Sequence, residues 1–291
     1  MDLFKGLEQF GLDAKEADLF AEEEKSANHV GTHGQVKEVA APTEDSFLLA
    51  KAIRCPVCDK VFKRKMIKNG RIKREEPDMD LRPRFQYIDT LKYNISSCPY
   101  CGYTSLNNFF EHLPSSQAKL IQEKISANFK AKPVSDKPED EIAPYNYETS
   151  IAMHKLSLFN AMVKKGKASE KAYNCLVISW LFRGQKESLT DDTPENKQKI
   201  AAIEQEEEAF YKQAYEGFTK AIATEMFPMC GMDQNTVDFL LACMAFHFKQ
   251  YDVTSKCLGN VITSTTASRK IKDKAMDLRE VVVSTIRGQK S

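Results

Sequence analysis

The chain has 291 residues, of which 42% are hydrophobic and 29% charged, with a net charge of +1 at pH 7. That length is ample for a hydrophobic core in one large or two modest domains, and the near-neutral balance excludes a global field that would draw nucleic acid or membrane. No apolar run approaches the ~20 residues needed to span a bilayer, and Met1-Asp2-Leu3-Phe4-Lys5 lacks a secretory pattern, so a cytoplasmic setting is expected.

The charge is unevenly spread. Residues 1–50 hold 4 basic against 11 acidic side chains, and residues 51–101 hold 13 against 6. Leu3, Phe4, Leu7, Phe10, Leu12, Leu19 and Phe20 suit a short amphipathic helix interrupted at Gly11, either a docking peptide or a terminal helix on the protein's own surface. Residues 21–46 are poor in apolar side chains and read as an acidic linker. The first expected division, 1–46, is thus an acidic, partly mobile segment. His29 and His33 stand four apart within it, but Gly31 between them argues against a helical metal pair.

The second division, 47–104, carries the specific signal. Cys55-Pro56-Val57-Cys58 and Cys98-Pro99-Tyr100-Cys101 each place two thiolates on one tight turn. Four thiolates make a tetrahedral set for one zinc ion per chain, with iron as the alternative, because paired Cys-Pro-x-Cys-Gly turns also hold iron in rubredoxins. A closed four-sulfur site leaves no position open for chemistry, so a structural zinc ribbon is expected. Cys98-Pro99-Tyr100-Cys101 also matches the glutaredoxin tetrapeptide, but that chemistry needs a strand-to-helix setting that the basic upstream segment does not offer. Eight cysteines in a chain of this length, four of them in the two pairs, read as ligands plus reduced thiols. Asn69-Gly70 between two β-prone runs predicts a hairpin over Val61–Arg74, and Phe85–Ile95 supplies a further strand. The predicted hairpin carries Lys63, Arg64, Lys65, Lys68, Arg71, Lys73 and Arg74 beside Phe62, Phe85, Tyr87 and Tyr93. Cations among stackable aromatics suit nucleic acid, but the charges are read first as solvated or as partners of the acidic N-terminus.

The third division, 105–291, is helical. Leu106, Phe109, Phe110 and Leu113 recur at helical spacing, and Leu120, Ile121, Ile125 and Phe129 continue the pattern. Residues 131–144, with three prolines, form a linker or long loop. Helices follow over Tyr147–Val163, a nearly apolar stretch around Tyr173–Phe182, and a long run opened by Thr193-Pro194-Glu195 and ending before Pro228. Val237–Phe248, Val253–Ile262 and Ile271–Ile286 complete the set, as antiparallel pairs. Leu240-Leu241-Ala242 through Gln250-Tyr251-Asp252 to Leu258 and Val261 resembles a tetratricopeptide hinge, departing at Thr254 where a small alanine is expected.

The remaining candidates have structural readings. Cys175, Cys230, Cys243 and Cys257 lie in or beside apolar runs as small hydrophobes; Cys243 and His247 read as a packed pair rather than ligands. His154 is expected half-buried, Glu111-His112 lacks a third catalytic partner, and Asp78 and Asp80 are expected to accept from backbone donors in a turn. No phosphate loop, dinucleotide fingerprint, metalloprotease helix or nucleophile elbow is present. No catalytic constellation emerges.

With Cys55-Pro56-x-Cys58 and Phe62, Asp78-x-Asp80-Leu81, and Tyr93 leading to Cys98-Pro99-x-Cys101-Gly102-Tyr103, the chain resembles an uncharacterised bacterial family, domain of unknown function 2225. The resemblance runs from about Ala50 to the C-terminus and implies a zinc ribbon joined to tetratricopeptide-like helices, without an activity. Asp59 departs from it, standing where a knuckle usually carries glycine. The expected fold is therefore mainly α with a small N-terminal β zinc ribbon. The expected function is a non-enzymatic adaptor whose helices bind a protein or peptide, with nucleic-acid binding through the basic hairpin as the alternative and a rubredoxin-like or thiol redox protein as the third reading.

Overall fold

The structure, a computed structural model, describes residues 42–68, 70–130, 142–191 and 193–288. The N-terminal helix read over residues 1–20, with His29 and His33, and most of the linker at 131–144 lie outside them. Pro42–Ser291 forms one compact unit. The described chain is mainly helical, with two small antiparallel strand pairs near its start.

The first pair joins β1 (Leu48–Arg54) to β2 (Val61–Ile67), in a register that sets Ile53 opposite Phe62 and Leu48 opposite Ile67. The turn between them is the first Cys-x-x-C knuckle. This corrects the Asn69-Gly70 hairpin: β2 pairs with the strand before it. Residues 71–74 do not pair back onto β2; Lys73 and Arg74 instead face Gln86 and Phe85, with Gln86 N–H donating to Lys73 O (3.0 Å) and an isolated bridge from Arg74 to Phe85. A knuckle is itself a strand-reversing turn, so it closes the hairpin on its N-terminal side and leaves nothing for Asn-Gly to close. The second pair is β3 (Ile95–Ser97) with β4 (Thr104–Leu106), closed by the second knuckle. The further strand expected over Phe85–Ile95 is instead a loop and a 3-10 turn at Thr90–Tyr93, capped by the Asp89 side chain accepting from the Leu91 amide.

Two short helices, α1 (Asn107–Phe110) and α2 (Ser115–Ile121), follow, and α2 runs into a π turn at Gln122–Ser126. Next come α3 (Tyr147–Val163), α4 (Ala168–Glu187), α5 (Pro194–Thr224), α6 (Gln234–His247), α7 (Tyr251–Thr263) and α8 (Arg269–Gly288). Their starts follow from capping chemistry. Asn146, Thr193 and Asp233 each accept a backbone amide three residues on, and Pro194 takes the first position of α5, where its missing N–H costs nothing.

Helix α4 is packed between α3 and α5. Leu176, Val177, Ile178 and Leu181 are fully enclosed, each worth roughly 1.5–3 kcal/mol of transfer free energy. Gly217 allows α5 to close on α4, since a Cβ there would stand 2.8 Å from that of Ala172. Helices α6 and α7 form the next antiparallel pair, and α8 rests on both. Thr254, where a small alanine was expected, is fully buried and donates to Gln250 O (2.9 Å), so its hydroxyl is satisfied without leaving the helix.

Ribbon and helices share surfaces. Strands β3 and β4 lie against α3, and Phe62, Tyr103 and Phe110 form one aromatic cluster with the cysteines, Ile121 and Ile125.

Candidate metal centre

The two knuckles have the same backbone. Cys55 N–H donates to Lys60 O (3.0 Å) and Asp59 N–H to Cys55 O (2.9 Å); Cys98 N–H donates to Tyr103 O (2.8 Å) and Gly102 N–H to Cys98 O (3.1 Å). In both, the fifth residue steps into the left-handed region, Asp59 at φ 61° and Gly102 at φ 75°. Aspartate tolerates that region better than most side chains. Its conformation is accompanied by Arg54, whose Nη1 donates to Asp59 O (3.0 Å) and lies 3.1 Å from its carboxylate. The departure from glycine at Asp59 thus leaves the loop geometry intact.

These turns bring Cys55, Cys58, Cys98 and Cys101 together, with all four sulfurs within 4.8 Å of one another. Two cross-knuckle distances, Cys55–Cys101 and Cys58–Cys98, are each 3.6 Å, and all four thiols are free. Sulfurs bound at about 2.3 Å around a tetrahedral zinc stand about 3.8 Å apart, so the cluster fits a four-sulfur ion. Cys55, Cys98 and Cys101 are buried, Cys58 is half-buried, and the Val57 amide points at Cys55 Sγ (3.4 Å). The thiols perturb one another in opposite directions: hydrogen bonds from Cys101 and Cys55 hold Cys98 well below its ordinary value, while Cys55 and Cys98 push Cys101 far up. Crowded sulfurs cannot all ionise without a cation among them. The four cysteines can therefore hold a metal ion.

The basic residues are divided. Arg64 donates to Ser96 Oγ (3.1 Å), Lys68 to Ser46 O (2.8 Å), and Lys65 to Ala143 O while lying over the Tyr145 ring. Lys63, Arg71, Lys73 and Arg74 are exposed. Arg64, Lys65 and Lys68 are thus engaged with the protein itself. Of the aromatics expected to accompany them, Phe62 and Tyr93 are buried, with Tyr93 donating to Glu44 (2.8 Å), Phe85 is half-buried and Tyr87 is exposed.

Asp78 and Asp80 have a different role from the one expected. Instead of accepting from turn amides, their carboxylates enter an ion network that ties the segment 75–89 to α4. Asp80 accepts from Trp180 Nε1 (2.9 Å) and pairs with Arg183 (3.0 Å), while Asp78 pairs with Arg84 (2.7 Å). Arg82 and Arg84 both reach Glu187, at 3.0 and 2.6 Å. Burial pushes Asp78 and Glu187 up, but the surrounding guanidiniums, Arg84 foremost, hold both below the ordinary carboxylate range. A buried indole N–H and a guanidinium at the end of the apolar stretch, Trp180 and Arg183, need acceptors, but nothing in the sequence says which residues supply them.

His154 is fully buried rather than half-buried. Its Nδ1 lies 2.8 Å from Ser150 O, its Nε2 meets no partner, and burial lowers its pKa to about 4. Cys243 and His247 do not converge: the thiol faces Met79 O (3.6 Å) and the imidazole faces Glu208 (2.6 Å). Cys175, Cys243 and Cys257 are buried and Cys230 half-buried; burial raises all four thiols, Cys175 and Cys230 to about 12. Glu111 and His112 are both exposed.

Among the described residues, no helix is long and apolar enough to cross a membrane. No curated protein and no solved structure matches the chain. A family model described as "Uncharacterized protein conserved in bacteria (DUF2225)" matches residues 48–282, from the first strand of the ribbon nearly to the end of α8. The chain belongs to that family.

Proposed function

We propose that Cys55, Cys58, Cys98 and Cys101 hold one zinc ion as a structural staple, and that the chain is a non-catalytic, cytoplasmic interaction protein whose helices receive a protein or peptide. The observation that carries the first part is the closed sulfur cluster, in which three of the four cysteines are buried and the two knuckle backbones mirror each other. A bound dication would neutralise the crowded thiolates and join two hairpins whose own core is small. Zinc is favoured over iron because a structural role needs no redox change, and thiolate donors suit both ions.

The helical part of the reading rests on a cleft of about 560 Å³ between α3, α4 and α5, floored by Leu158, Ala168, Ala172, Phe210 and Gly217. Met162, exposed on α3, lines it too, and Phe159 is exposed on the same helix. Apolar side chains around a concave helical surface suit anchor residues of a peptide. The ribbon (47–104) and helical region (105–291) then have separate tasks, support and recognition.

Elemental analysis of purified protein tests the first part. One colourless zinc per chain supports it; iron with visible absorbance, or no metal, contradicts it. For the second part, proteins bound by the purified chain should be lost from the double variant Phe159→Glu, Met162→Glu while its far-UV circular dichroism stays unchanged.

A further inference from the structure

The four sulfurs are not equally protected. Cys55 and Cys98 are fully enclosed and Cys101 is 5% exposed, whereas Cys58 is half-buried at the edge of the cluster. Its neighbours on the first knuckle, Pro56, Asp59 and Lys60, are exposed. Two of the sulfur contacts cross from one knuckle to the other: Cys58 to Cys98 and Cys55 to Cys101, both at 3.6 Å. A reagent entering from solvent therefore meets Cys58 first, and Cys98 of the opposite knuckle stands 3.6 Å from it.

We propose that the cluster is an oxidation-sensitive site in which Cys58 reacts first with a hydroperoxide and Cys98 resolves it as a disulfide. This inference rests on the metal-centre reading above. In the first step the Cys58 thiolate attacks the O–O bond of hydrogen peroxide. An S–O bond forms, the O–O bond breaks, hydroxide leaves and takes a proton to become water, and the sulfur loses two electrons to the peroxide. In the second step the Cys98 thiolate attacks the Cys58 sulfur, the S–S bond forms, the S–O bond breaks, and the second hydroxide leaves as water. The product has lost two of its four metal donors, so its affinity for the ion collapses. Because the new bond runs between knuckles, it keeps the two hairpins tethered after the metal has gone. A bond within one knuckle, Cys55 to Cys58, would release them. The oxidised form is therefore a metal-free ribbon still closed across its two turns, and thiol reduction with added zinc restores the starting state.

The other cysteines serve as internal controls. Cys175, Cys243 and Cys257 are buried, and Cys230, although half-buried, has a thiol that burial pushes up to about 12, which leaves little thiolate to react.

The test uses the full-length wild-type chain. Zinc content is measured first. The protein is then titrated with hydrogen peroxide while released zinc is followed with a chromogenic chelator, and disulfides are located by peptide mass mapping. Separately, limiting N-ethylmaleimide is added to the untreated protein and the order of alkylation is read. The expected result is stoichiometric zinc release in step with a Cys58–Cys98 disulfide, reversal by dithiothreitol with zinc, and alkylation of Cys58 at least about tenfold ahead of Cys55, Cys98 and Cys101. A first disulfide within a knuckle, or Cys58 alkylated no faster than the other three, overturns the proposal. Absence of zinc before oxidant contradicts the metal-centre reading, whereas zinc released without a Cys58–Cys98 bond contradicts only this inference.

Discussion

At Asp59 and at Gly102 the chain takes the same left-handed step, at φ 61° and 75°, to close two knuckles with matching hydrogen bonds. The surroundings are opposite. Asp59 lies in solvent beside Arg54, whereas Gly102 is buried, its carbonyl 3.3 Å from Asn160 Nδ2 on α3. A Cβ at Gly102 would stand 2.5 Å from the Phe129 ring. One backbone requirement is therefore met in two ways. The first knuckle needs only a residue that accepts positive φ; the second also needs the absence of a side chain. The first is more open, touching the helical region where Gln122 Nε2 donates to Val57 O (2.8 Å), whereas the second packs closely against Phe129 and α3.

Acid should separate the two regions most strongly. The second knuckle rests on α3 through Gly102 and Asn160, and α3 also carries His154, buried and neutral. With a folded pKa of about 4 against an ordinary 6.5, His154 takes up its proton more readily in the unfolded chain. Stability due to this group therefore falls as pH drops below the ordinary value, by about 3 kcal/mol once pH has passed through the folded value. Denaturant melts of wild type and His154→Gln at pH 7 and pH 4 should show this loss in the wild type and a much smaller one in the variant. Equal losses in the two would remove His154 from the account.

Exchanging the fifth residues comes next in size. Gly102→Asp forces a side chain into positive φ and displaces Phe129, which should cost about 2–3 kcal/mol. Urea unfolding of metal-loaded protein measures it, and a cost below that of the reciprocal change would dissolve the contrast. Asn160→Ala removes the α3 donor to Gly102 O and should cost about 1 kcal/mol, read in the same melts. The smallest effect belongs to Asp59→Gly. It relieves the left-handed strain and gives up only a surface ion pair with Arg54, so unfolding should shift by less than about 1 kcal/mol in either direction.

The cysteine cluster and the helices were legible in the sequence for local reasons. A Cys-Pro-x-Cys turn encodes its own geometry, and the Tyr147–Val163 helix follows from an Asn cap and an uninterrupted run. What was illegible depended on partners distant in the chain. Strand β2 took Leu48–Arg54 as its neighbour because the first knuckle reverses the chain, so the strong local preference of Asn-Gly had no strand to turn. Asp78 and Asp80 found Trp180 and Arg183 about a hundred residues away, a pairing that no local pattern announces. The depth of His154 likewise depends on strands β3 and β4 covering α3, which the helical periodicity alone does not reveal.

The most direct test of the account is the metal content and visible spectrum of purified wild type and Cys98→Ser, each followed by thermal unfolding. One zinc per chain in a colourless protein, lost in the variant together with the ribbon's folding, is the predicted result. A variant that keeps wild-type folding without the metal, or a wild type that holds no metal at all, would contradict it.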